Sequence, residues 1–74
     1  MPKLPVVSGT EAVRAFEASG YERVRQSSSH VRLICEGRQP LTVPLHRELK
    51  RGTLRALIRD AGFSVEEFVR LLNE

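Results

Sequence analysis

Ser8-Gly9-Thr10-Glu11 and Ser64-Val65-Glu66-Glu67 each place a serine three positions before a glutamate, the spacing of a helix capping box. In that motif the serine oxygen accepts from the glutamate's backbone amide, and the glutamate carboxylate accepts from the serine's. The chain is therefore expected to start and finish in helices, with any sheet lying between them. The first helix carries Ala12, Val13 and Phe16 on one face and is predicted over 9–19, with Gly20 suited to the left-handed position that ends it. In the last helix Val65, Phe68, Val69 and Leu72 form an apolar stripe, and Phe63 and Phe68 stand where a hydrophobic staple would close its first turn.

The intervening chain alternates. Tyr21 to Gln26 reads as a strand with Val24 on one face and Tyr21, Arg23 and Arg25 on the other. Ser27-Ser28-Ser29 makes a turn. Val31, Leu33 and Cys35 recur at period two and share a buried face, which leaves His30, Arg32 and Ile34 on the opposite one. Glu36 to Pro40 is a hairpin loop, and Leu41-Thr42-Val43 is a short strand ended by Pro44, which cannot donate to a ladder. Leu45 to Lys50 connects to a helix predicted over 51–61, with Leu54, Leu57, Ile58 and Ala61 facing inward and Gly62 ending it. Met1 to Val7 is an extended lead, kept out of helix by Pro2 and Pro5. Consecutive strands with short loops make an antiparallel meander, so the fold class is α+β, in the order α-β-β-β-α-α, with a three-stranded antiparallel sheet covered on one face.

Size and charge narrow the function. Seventy-four residues make one domain, 1–74, which buries only about 60–65% of its unfolded surface. No apolar run approaches the roughly 20 residues of a membrane span, and Met1-Pro2-Lys3 leads into no signal-peptide core, so the expectation is cytoplasmic with no membrane partner. Cys35 has no cysteine partner for a disulfide or a metal site and is expected as a small buried hydrophobe. His30 and His46 lack ligand-spaced carboxylates, and phosphate-binding and dinucleotide fingerprints are absent, so neither metal nor cofactor is expected. From Arg23 to Arg59 nine basic residues face two acidic ones, a local balance of +7 within a net charge of +3. Charge gathered in this way points to a polyanion, most simply a nucleic acid.

His30 is the candidate for chemistry. RNA cleavage without a metal needs a base for a ribose 2′-hydroxyl, and an exposed imidazole titrates near neutral pH. Ser29 and its neighbours can orient the ring or bond phosphate oxygens. On the residues alone, a surface histidine with no role is the stronger reading. His46 reads as a residue that hydrogen-bonds the start of the following helix. Arg47, Lys50, Arg51, Arg55 and Arg59 fit phosphate contacts, with Arg51, Arg55 and Arg59 at i, i+4, i+8 forming a ridge. Arg25 and Arg32, with Arg23, are expected to extend that positive surface beside His30. Phe16, Phe63, Phe68 and Tyr21 fall at core spacing and make no base-stacking platform. Two further classes fit the same residues: a non-catalytic RNA-binding module, and an interaction domain whose arginines serve an acidic protein.

Taken together, Lys3-Leu4-Pro5, Ser8-Gly9, Gly20-Tyr21, Val24-Arg25-Gln26, Ser29-His30-Val31 and Leu41-Thr42-Val43-Pro44-Leu45-His46 form one ordered pattern. Glu48-Leu49-Lys50-Arg51-Gly52-Thr53-Leu54-Arg55 and Ala61-Gly62-Phe63-Ser64-Val65-Glu66-Glu67-Phe68 continue it over nearly the whole chain. The pattern resembles the HicA family of toxins, messenger-RNA interferases of type II toxin–antitoxin systems. The resemblance implies a fold similar to double-stranded-RNA-binding domains, mRNA as substrate, and His30 as the catalytic residue. It also implies a HicB-like antitoxin that covers His30, and, because Leu45-His46 belongs to the same pattern, it makes His46 a second acid–base candidate. Where the family's turn usually holds glycine this chain has Ser28. A turn that required positive φ there would cost serine on the order of 1 kcal/mol.

Overall fold

The computed structural model describes residues 3–74; the first two residues of the expected extended lead lie outside them. The elements are α1 (Gly9–Ala18), β1 (Glu22–Gln26), β2 (His30–Ile34), β3 (Leu41–Pro44), α2 (Arg51–Ala61) and α3 (Val65–Leu72). This is the expected α+β order, and the strands form one antiparallel sheet in the order β1-β2-β3. Both capping boxes close. Ser8 Oγ accepts from the Glu11 amide at 3.0 Å and Glu11 Oε1 from the Ser8 amide at 2.8 Å; at Ser64 and Glu67 the distances are 3.1 and 2.8 Å. The serine amides, bonded to the ionised carboxylates, hold Glu11 and Glu67 below their ordinary range.

One face of the sheet is covered. Val31 opposes Val43 and Leu33 opposes Leu41, all four buried against Phe16, Leu54 and Phe68. Phe16 sits at the centre, 5.2 Å from the Phe68 ring and 5.9 Å edge-on from Tyr21. His30, Arg32, Ile34 and Thr42 alternate with those residues and face solvent on the other side.

β1 departs from strict alternation. The register runs Arg23 to Leu33 and then Arg25 to Arg32, so Val24 is bulged out without a partner and stays 51% exposed. Arg25 shares the solvent face with Arg32. Arg23, opposite Leu33, lies on the helix side and reaches Glu17 of α1 at 3.2 Å and Gln26 at 2.7 Å. The expectation of Arg23 on the outward face is corrected: one extra residue shifts the faces of everything before it. Cys35, expected within the buried face of β2, falls one position past that strand and is half-buried.

Gly9 ties the layers together at one end. Its amide donates to the His46 carbonyl at 2.9 Å, and a Cβ there would collide with the Pro44 carbonyl. The Leu49 amide donates to the Val7 carbonyl at 2.8 Å. The end of β3, the connector and the starts of α1 and α2 therefore gather where His30, paired with Pro44, begins β2.

Candidate functional site

Ser27 builds the turn before β2. Its amide donates to the His30 carbonyl at 2.9 Å, and its Oγ accepts from the amides of His30 at 3.1 Å and Ser29 at 3.3 Å. The Leu45 amide donates to the Ser29 carbonyl at 2.7 Å and fastens the turn to the connector. A serine oxygen that satisfies two amides makes left-handed backbone unnecessary. Among the described residues only glycines have positive φ, so Ser28 occupies the turn without that cost. Sequence reading gave Ser27 no individual role, although a serine three residues before a strand's first residue is the signal of such a turn.

His30 emerges from this turn on the solvent face, with its Nδ1 3.0 Å from Ser29 Oγ. A neutral ring with Nδ1–H donating to Ser29 exposes the Nε2 lone pair, ready to take a proton. After protonation the same bond persists, since Ser29 still accepts. With the hydroxyl donating instead, Nε2 carries the proton and the neutral ring presents no base there; the acid is the imidazolium, protonated on both nitrogens. Ser29, expected to contact RNA, is thus engaged with the imidazole. The His46 ring is exposed, and its backbone carbonyl anchors α1 instead of the helix that follows it.

The basic residues separate by what they touch. Arg23 pairs with Glu17, and Arg59, expected within the ridge, meets Asp60 at 3.5 Å on the surface. Arg38 donates to the Ala61 carbonyl at the end of α2 and lies 4.5 Å above the Phe63 ring, a helix cap and cation–π contact. Arg25, Arg32, Arg47, Lys50, Arg51 and Arg55 form no ion pair among the described residues. They lie in two places. Arg25 and Arg32 share the open sheet face with His30, whereas Arg47, Lys50, Arg51 and Arg55 lie on the connector and on α2, which packs on the covered side. The single positive surface expected beside His30 is therefore divided by the plane of the sheet.

The start of α2 differs from the other two helices. Lys50 caps it with no side-chain hydrogen bond, and its first turn holds no acid.

His30 lines none of the three principal grooves among the described residues. A groove of about 400 Å³ runs between Pro5–Val7, α1 and the end of α3, and none of its lining residues belongs to the histidine turn. An imidazole on an open, basic sheet face suits a polymer better than an enclosed small molecule. Among the described residues no three His, Cys, Asp or Glu side chains gather to hold a metal, and no helix is long and apolar enough to cross a membrane.

Residues 9–63 match a family model described as HicA toxin of bacterial toxin-antitoxin. No curated protein and no solved structure gives a significant match.

Proposed function

Because the chain belongs to the HicA toxin family of bacterial toxin–antitoxin systems, and so has an antitoxin as its partner, we propose that it is a metal-independent endoribonuclease acting on cytoplasmic mRNA. The observation that carries this reading is the exposed His30 ring, held through Nδ1 by Ser29, on an uncovered face with two unpaired guanidinium groups. Nε2 takes the proton of a ribose 2′-hydroxyl, the 2′-oxygen attacks the adjacent phosphorus, and the bond to the 5′-oxygen breaks. The products are a 2′,3′-cyclic phosphate and a 5′-hydroxyl, the leaving oxygen taking its proton from water. Arg47, Lys50, Arg51, Arg55 and Arg59 hold flanking phosphates. A HicB-like antitoxin inhibits by covering His30.

The test is purified protein with RNA in the presence of EDTA. Cleavage to cyclic-phosphate ends is expected, with loss when the scissile ribose is 2′-deoxy and when His30→Ala is introduced without change in circular dichroism. Salt-sensitive binding with no cleavage would replace this reading with the non-catalytic RNA-binding module.

A further inference from the structure

We infer that Arg32 is a second catalytic residue, positioned by Thr42, and that the phosphate reacts over the His30–Arg32 pair on the open sheet face. This rests on the ribonuclease reading above.

His30 and Arg32 are two apart on β2 and point to the same side, which separates them by roughly 6.5 Å. A phosphodiester spans that gap, with its 2′-hydroxyl at the imidazole and its non-bridging oxygens at the guanidinium. Arg32 Nη1 donates to Thr42 Oγ1 at 3.0 Å, and Thr42 lies directly opposite it on β3. Of Arg25, Arg32, Arg47, Lys50, Arg51 and Arg55, Arg32 alone makes a side-chain hydrogen bond among the described residues. A long, flexible arm is thereby held in place before substrate arrives, and its remaining N–H donors stay free.

The fold gains little from the surroundings of that arm. Arg25 stands directly across from Arg32, and like charges facing each other across strands are unfavourable. Glu22 shares the face, opposite Ile34, yet pairs with neither arginine. Two arginines paired across β1 and β2, uncompensated beside a histidine, make sense once a phosphate lies on that face. The reaction needs them there. As the 2′-oxygen–phosphorus bond forms and the phosphorus–5′-oxygen bond breaks, negative charge builds on the non-bridging oxygens. Arg32 donates hydrogen bonds to them and keeps its own protons, while His30 alone carries the proton from the 2′-hydroxyl. The cations of α2 approach from the covered side and serve binding.

Single-turnover cleavage of a labelled RNA, with affinity measured separately, tests this. Arg32→Gln is expected to lower the rate at saturating RNA about 100-fold or more with only a few-fold change in Kd, and Arg32→Lys to restore part of it. Thr42→Val lowers the same rate by less, again without weakening binding. Arg55→Gln differs in weakening binding and reducing the salt slope by about one. Melting curves confirm that each variant is folded. An Arg32→Gln protein with a wild-type saturating rate overturns the inference while leaving the ribonuclease reading in place. A wild-type protein that binds RNA but cleaves none overturns both.

Discussion

α1 and α3 start in one way and α2 in another. The first two open on a serine that caps and a glutamate that caps back, with acid in the first turn where the helix dipole favours it. α2 opens on Lys50 and Arg51, cations at the positive end of a helix, with no side-chain cap. The sheet repeats the contrast. Its covered face is closely packed aliphatic and aromatic side chains, while its open face sets Arg25 against Arg32 beside His30. Regions that satisfy every local rule hold the molecule together. Regions that break several rules at once are where an outside charge is expected to complete the structure.

Two glycines sharpen this comparison because the same substitution has opposite signs at them. Gly9→Ala places a methyl against the Pro44 carbonyl and the Leu45 backbone, neither of which can swing away. It is expected to cost on the order of 1–3 kcal/mol, read as a lower urea midpoint. An unchanged midpoint would mean that α1 is not pinned to the end of β3 as described. Gly52, in the first turn of α2, has no left-handed φ and open space around the site of a Cβ. Gly52→Ala should therefore stabilise the protein by about 0.4–1 kcal/mol, and a loss would show that this turn is more constrained than its backbone indicates.

The smallest effect is in acid. Glu11 and Glu67 titrate below their ordinary value of 4.5 in the folded chain. Their contribution is present above that value and is lost as pH falls through the lower folded one. Replacing both with glutamine keeps an acceptor for each serine amide but removes the titration. The melting temperature of the double variant should fall less steeply below about pH 4.5 than that of the wild type. Parallel curves would show that other carboxylates govern the acid response.

The scaffold was readable in the residues because its signals are local. Serine–glutamate spacing, terminal glycines and the period-two run Val31-Leu33 name their elements without reference to the rest of the chain. What escaped depends on partners. The bulge at Val24 arises from the pairing of β1 with β2, and it alone sends Arg23 to the helix side. A count of charges does not distinguish Arg38, spent on capping α2, from Arg32, held by Thr42 on the open face. Ser28 looked costly only on the assumption of a left-handed turn, whereas the Ser27 oxygen supplies another way to close it. His30 was prominent from the outset, but its bond to Ser29 and its separation from the α2 cations required the fold.

The most direct measurement is induced expression in bacteria of the wild type and His30→Ala, each with and without the antitoxin, followed by analysis of RNA integrity. The account predicts that the wild type alone arrests growth and degrades mRNA. It predicts that the antitoxin prevents both effects, and that His30→Ala, equally abundant and folded, produces neither. RNA degradation that persists in a folded His30→Ala protein would contradict the central claim.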